Sequence, residues 1–96
     1  MDADFTVLQA LVPDILKVFR QRYLVLEQIH SSAPIGRRNV AQRLGISERK
    51  VRTETEYLRE LGLIEIKNFG MFLTEKGKKT LQDAAPLLDR LFNATT

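Results

Sequence analysis

The chain has 96 residues, of which 44% are hydrophobic and 28% charged, a composition typical of one folded domain. It has no cysteine and one histidine, which excludes disulfide scaffolds, thiolate metal sites and cysteine nucleophiles. No apolar run approaches the roughly 20 residues of a membrane span, and the acidic N-terminal residues argue against a signal peptide. The net charge of +3 indicates an anionic partner.

Two helices are predicted at the start of the chain. Apolar residues recur there with the three- and four-residue spacing of a helical stripe: Phe5, Leu8, Val12, Ile15, Phe19, Leu26 and Ile29. Pro13 interrupts this stripe, and proline is tolerated only in the first turn of a helix. We therefore expect a short helix near 3–11 and a longer one over about 13–30, ended by the segment 31–34.

A helix-turn-helix is predicted next. Val40, Ala41 and Leu44 define one face of a helix over about 37–44, and Gly45 is expected to end it in the left-handed conformation. Ser47 is the expected N-cap of a helix over 48–61, which would turn its apolar side chains toward the core: Val51, Leu58 and Leu61. The segment 45–47 is then the tight turn between the two helices.

A hairpin and a final helix follow. Residues 63–67 alternate apolar and polar side chains, as a half-buried strand does, 68–70 form a turn, and 71–73 return. Thr74 is expected to cap a last helix, which should kink or restart at Pro86 and end in a polar tail over 93–96. The fold class predicted is mainly α: a single winged helix-turn-helix domain over 1–96, with a core at about 20–80 and flanking helices at 1–19 and 81–96.

The basic charge is concentrated in the predicted helix-turn-helix. Residues 35–53 hold six lysines and arginines against Glu48 alone, for a net charge of +5, whereas residues 54–66 have a net charge of −3. We assign the acidic residues that follow to a solvated helix face: Glu54, Glu56 and Glu60. Glu48 is assigned to the dipole of the helix that it begins.

The segments 34–52 and 57–66 resemble the DNA-binding domain of bacterial SorC/DeoR-type sugar-metabolism repressors, and within them the group of central glycolytic gene regulators. The resemblance covers about residues 11–80, and its more specific part is the run from Pro34 to Arg38. It implies a cytoplasmic transcriptional repressor and a C-terminal domain that senses a phosphorylated sugar, which these 96 residues do not include. It also implies an aliphatic residue where Thr55 stands, and hence looser packing under that helix.

Candidate DNA contacts follow from the placement of polar residues around the turn. Residues in the first half of the 48–61 helix are predicted to read bases: Arg49, Lys50, Arg52 and Thr53. Those around the two helix starts are predicted to contact phosphates: Gly36, Arg37, Arg38 and Ser47. At the hairpin tip the candidates are Lys67, Asn68 and Phe69, and Phe69 either contacts DNA or packs against the hairpin.

Sequence-specific binding of double-stranded operator DNA is the predicted function, and a winged helix that binds protein instead is the alternative. We expect no catalytic residues, metal or cofactor, because the sequence offers no nucleophile–base pair and no ligand set. The terminal helices carry more apolar side chains than a domain of this size readily buries, including Leu81, Leu88, Leu91 and Phe92. We therefore expect a homodimer through these helices; the alternative is that both close one monomeric core.

Overall fold

The structure, a computed structural model, describes residues 3–94, and the side-chain surroundings of residues 5–91 within them. In chain order its elements are α1 (Ala3–Leu11), α2 (Ile15–Ser32), α3 (Arg37–Leu44), α4 (Glu48–Glu60), β1 (Ile64–Lys67), β2 (Gly70–Leu73) and α5 (Glu75–Ala94). A helix-turn-helix is thus followed by a two-stranded antiparallel hairpin, which confirms the predicted winged-helix class.

The first two helices are separate, with Pro13 in the break between them. Helix α1 makes only sparse contacts with the other described elements. Three of its large apolar side chains are correspondingly exposed, those of Val7, Leu8 and Leu11. Val12, just beyond the helix, is exposed as well. Within the N-terminal stripe, only Leu26 and Ile29 are fully buried, and both lie in α2.

The core lies where α2, the helix-turn-helix, the hairpin and the start of α5 meet. Its buried apolar side chains come from every element except α1: Val25, Leu26, Ile29, Ile35, Val40, Ala41, Val51, Leu58, Leu63, Ile64, Met71, Leu73 and Leu81. Leu61, which was expected to face the core, is instead 42% exposed. It lies beyond the last residue of α4, where the chain turns toward the hairpin and the helical spacing no longer sets which way a side chain points.

The turn of the helix-turn-helix forms as predicted. Gly45 has φ +67°, and its N–H donates to the carbonyl of Ala41 at the end of α3. Ser47 caps α4, since its hydroxyl accepts a hydrogen bond from the N–H of Lys50 at 3.1 Å. Ile46 packs against the core while remaining partly exposed. Local signals therefore locate the turn between α3 and α4.

Replacing Gly45 with valine should destabilise the domain by more than about 1 kcal/mol, because a β-branched residue is strained at positive φ. No atom lies within 4 Å of a Cβ at this position, so the cost is conformational rather than steric. Gly45→Asn is the matched control, since asparagine tolerates this conformation. Thermal unfolding distinguishes the two: equal melting temperatures for the wild type and the valine variant would contradict the expectation.

The hairpin is joined by a two-residue loop, Asn68-Phe69, because Gly70 already pairs with Lys67. Strand β1 begins at Ile64, one residue later than predicted, and Gly70 belongs to β2 rather than to the turn. On its other side, strand β2 contacts the segment before α3, because the N–H of Met71 donates to the carbonyl of Ile35 at 2.8 Å. This bridge ties the wing to the segment that leads into α3.

Thr74 caps α5 as predicted, since its hydroxyl accepts a hydrogen bond from the N–H of Gly77 at 3.0 Å. The helix then continues through Pro86 to Ala94 as one element, so the predicted restart at Pro86 is wrong. Pro86 has no N–H and so removes one backbone hydrogen bond of the helix, but the helix continues on both sides of it. Residues 95 and 96 of the predicted polar tail lie outside the described part of the chain. The side chain of Phe92 lies outside it as well.

Candidate nucleic-acid interface

The first half of α4 presents a polar and basic face to solvent. Besides Glu48, its exposed side chains are those predicted to read bases: Arg49, Lys50, Arg52 and Thr53. Val51 and Leu58 hold the opposite face in the core. Thr53 donates its hydroxyl hydrogen to the carbonyl of Arg49 at 3.1 Å, which leaves its oxygen lone pairs and its methyl group facing outward. The arrangement is that of a helix whose outer face can enter a major groove.

Glu54 lies on the core side of α4, contrary to the prediction of a solvated face. It is 8% exposed, and its Oε2 accepts a hydrogen bond from Nε of Arg22 at 2.8 Å. The Arg22 guanidinium also lies over the ring of Tyr57, 4.2 Å from its centroid. A buried carboxylate requires such a partner, and here the partner is on α2, 32 residues away in sequence.

Arg37 anchors the other side of α4. Its Nε donates to the Thr55 hydroxyl at 3.0 Å and its Nη2 to Glu56 at 2.6 Å, and its side chain is only 27% exposed. Thr55 is fully buried and donates its own hydrogen to the carbonyl of Val51 at 2.7 Å. The Thr55 hydroxyl is thus buried with both a donor and an acceptor, and the looser packing implied at this position stays a prediction. Glu56, predicted to lie on a solvated face, is part of an ion-pair cluster that also includes Arg59.

The structure separates the two arginines that were predicted to clamp phosphates. Arg37 is bound to α4, whereas the Arg38 side chain is 77% exposed, with its Nε 3.8 Å from Glu48. An open cleft of about 480 Å³ separates the start of α3 from the wing, and it is lined by Gly36, Arg38 and Lys67 among others. The charged side chains in its lining are three basic ones, Arg37, Arg38 and Lys67, and the acidic Glu48.

The wing tip is exposed. Phe69 is 70% exposed, although its ring meets that of Phe72 edge-on at 5.6 Å, so it packs on the hairpin and also faces solvent. Lys67 pairs with Glu65 at 3.4 Å, and Asn68 is exposed beside it. The three wing candidates therefore lie together at one edge of the cleft. Their contact with DNA stays a prediction, like that of the other candidates.

We expect the two arginine variants to differ. Arg38→Ala should leave stability unchanged and lower the slope of log affinity for DNA against log salt by up to about 0.9, the value for one full phosphate contact. Arg37→Ala should instead destabilise the domain by about 1 kcal/mol, because Thr55 and Glu56 lose a charged hydrogen-bond donor. Thermal unfolding and a salt series with random duplex DNA check both. A similar loss of slope without loss of stability in Arg37→Ala would show that Arg37 also binds phosphate.

Among the described side chains, no group of three or more histidines, cysteines or carboxylates could hold a metal ion. No helix within residues 3–94 is long and apolar enough to cross a membrane.

A family model described as "CggR N-terminal DNA binding domain" matches residues 18–88. Two relatives carry the name central glycolytic genes regulator. The one from Bacillus subtilis is 46% identical over 71 residues, which are 74% of this chain and 21% of the relative. The one from Priestia megaterium is 43% identical over 77 residues, which are 80% of this chain and 22% of the relative. The chain thus spans about a fifth of the length of these curated relatives.

Among solved structures, the Mycobacterium tuberculosis transcriptional regulator MosR is similar in fold. It superposes with a TM-score of 0.71 at 21% identity, covering 98% of this chain and 79% of that protein. At this identity the similarity concerns the fold alone, and it includes the terminal helices as well as the helix-turn-helix and the wing.

Proposed function

The chain belongs to the family of CggR N-terminal DNA-binding domains, and from this premise we propose that it is the operator-binding domain of a bacterial repressor of glycolytic genes. The observation that carries the proposal is the exposed basic face on the first half of α4. The turn at Gly45 holds this helix in place, as do the hydrogen bonds that Arg22 and Arg37 donate to the buried Glu54 and Thr55.

In this proposal α4 enters the major groove with its N-terminal half. Arg49 and Arg52 can each donate two hydrogen bonds to O6 and N7 of a guanine, and the Thr53 methyl can contact a thymine methyl. Lys50 reaches a base edge or an adjacent phosphate. Ser47 already accepts a hydrogen bond from the N–H of Lys50, so its own O–H is available to donate to a phosphate oxygen.

The duplex backbone then follows the cleft between α3 and the wing. Gly36 and Arg38 contact one phosphate run at the start of α3, and Lys67 and Asn68 contact the backbone from the wing. These contacts add affinity for any duplex and fix the register, whereas the α4 contacts carry the sequence preference.

We further propose that the effector acts elsewhere in the full repressor. The matching relatives are about five times as long as the matched segment, which leaves room for a domain that senses a phosphorylated sugar. In this proposal the DNA-binding domain described above requires no cofactor to bind DNA. The location is the cytoplasm, at the nucleoid, where the operator is.

Selection from a randomised duplex library tests the proposal. We expect the chain to enrich one sequence motif, and a duplex carrying it (the selected duplex) to bind more tightly than the unselected library (the random pool) in fluorescence anisotropy. No binding to either duplex at low salt would contradict DNA binding and favour the protein-binding alternative.

We also propose that two copies pair through their terminal helices. An apolar groove of about 260 Å³ lies between α2 and α5, and its walls include Phe19, Tyr23 and Ala84. Helix α1 exposes further apolar side chains, among them Val7 and Leu8. Partial burial, followed by the carboxylates of Glu27 and Asp89, raises the pKa of the Tyr23 hydroxyl above its ordinary value. A second copy that covers this groove would place two α4 helices on successive half-sites.

Leu8→Glu should convert the dimer to a monomer, because it introduces a charge into the apolar surface that pairs. Sedimentation at tens of micromolar protein measures this, with Ala10→Glu as the control. Ala10 is exposed and lies two residues, about 200° of helix rotation, from Leu8. A monomeric wild type whose mass Leu8→Glu leaves unchanged would contradict the dimer and support a monomeric domain.

A further inference from the structure

Glu48 is an acidic residue that lies among the basic side chains of the proposed DNA-binding surface. It is the only acid in residues 35–53, against six lysines and arginines. It is exposed in the first turn of α4, next to Arg49 and Lys50, and its Oε2 lies 3.8 Å from Nε of Arg38. A side chain in this position reduces the attraction of the surface for phosphate.

The Glu48–Arg38 pair lies between two open clefts. One cleft, of about 480 Å³, extends from the start of α3 to the wing, and the other, of about 600 Å³, extends toward the turn at Gly45; both residues line both clefts. A duplex backbone that occupies either cleft meets the two side chains together. Any phosphate that binds Arg38 therefore competes with the Glu48 carboxylate.

The dipole of α4 explains a glutamate in its first turn but not its position opposite Arg38. Glu75 offers the comparison, since it is the first residue of α5, is exposed, and pairs with Lys78 at 3.3 Å. It lies near the opposite end of α4, because the neighbouring Lys76 donates to the carbonyl of Leu61 at 3.0 Å. Each of the two carboxylates interacts favourably with the dipole of its own helix. Only Glu48 lies among the basic side chains of the proposed DNA-binding surface.

We propose that Glu48 is a specificity-determining residue for DNA binding. In the free protein and on random DNA its carboxylate competes with phosphate for Arg38, which weakens binding that rests on phosphate contacts alone. In the major groove of the operator the same carboxylate accepts a hydrogen bond from the amino group of a cytosine, which offsets that cost. The inference rests on the proposed function, and it concerns the selectivity rather than the existence of DNA binding.

Glu48→Ala and the matched control Glu75→Ala test the proposal, with affinities measured for the random pool and the selected duplex over a salt series. Both variants lose one carboxylate from the first turn of a helix, so changes in folding are common to the two and visible in their melting temperatures. We expect Glu48→Ala to bind the random pool about two- to fivefold more tightly. Its salt slope should be steeper by a fraction of the about 0.9 that one full phosphate contact contributes, because Arg38 no longer shares its charge with Glu48. Its preference for the selected duplex should fall about tenfold.

Glu75→Ala should match the wild type in all three measurements. In an Arg38→Ala background, removing Glu48 should no longer steepen the salt slope, because the competition for Arg38 is gone. An unchanged preference for the selected duplex in Glu48→Ala would overturn the inference, whether or not both affinities rise together. Absence of DNA binding by the wild type is a different result, since it would overturn the proposed function itself.

Discussion

Replacing Gly77 with alanine is expected to lower the free energy of unfolding by about 2–3 kcal/mol and the melting temperature by about 10–20 °C. The sign is opposite to the usual one, since a glycine-to-alanine change within a helix normally stabilises by about 0.5–1 kcal/mol. Gly77 is in the first turn of α5, where an added Cβ would lie 2.0 Å from the carbonyl oxygen of Leu63.

The contact at Gly77 cannot be relieved by a side-chain rotation, because the neighbouring atoms are backbone. The Leu63 carbonyl is itself held by a hydrogen bond from the N–H of Thr74 at 3.0 Å. Accommodating a methyl group requires α5 to move away from the hairpin, which would loosen the core at Leu63 and Leu81.

Gly36→Ala is the control, because nothing lies within 4 Å of a Cβ there and φ is −89°, an ordinary value for any residue. We expect it to cost less than about 1 kcal/mol. Thermal and urea unfolding measure both variants. A Gly77→Ala protein as stable as the wild type would show that α5 does not approach Leu63 as closely as described.

Arg52→Ala should weaken binding to the selected duplex by about 1–3 kcal/mol, a factor of about 5 to 150, while changing binding to the random pool little. Arg52 is exposed on the second turn of α4, on the face opposite the buried Leu58. Truncation to alanine removes the guanidinium and, with it, the two parallel hydrogen-bond donors that a guanine can accept from this position.

Arg59→Ala provides the comparison for Arg52→Ala. It removes the same charge from the same helix, but at the C-terminal end, where Arg59 pairs with Glu56 at 2.5 Å. We expect it to leave the ratio of the two affinities unchanged. If Arg52→Ala weakens the random pool as much as the selected duplex, base reading by Arg52 is wrong and the residue contacts phosphate only.

The elements that the sequence predicted best are those specified by neighbouring residues. Gly45 and Ser47 mark the turn through a left-handed glycine and an N-cap, both of which act within four residues, and the alternation over 63–67 predicts β1 nearly to its ends. For the same reason the exposed face of α4 followed directly from its helical period.

Apart from Leu61, the side chains that the sequence misplaced are polar ones whose partners lie far along the chain. Glu54 and Arg22 are 32 residues apart, and Arg37 and Thr55 are 18 apart. Helical spacing identifies neither pair, because each joins two helices whose relative orientation appears only in the folded core. A signal was present in retrospect: Thr55 stands between apolar residues of the buried face, where a hydroxyl needs a donor or acceptor nearby.

The central claim is that the first half of α4 reads base edges while the start of α3 and the wing hold the backbone. Titration of the ¹⁵N-labelled chain with the selected duplex, followed by NMR, tests it most directly. The account predicts the largest amide shifts at 36–38, 47–53 and 67–69, together with shifts of the side-chain Nε–H groups of Arg49 and Arg52. Largest shifts in α1 and α5, with residues 47–53 unchanged, would contradict it.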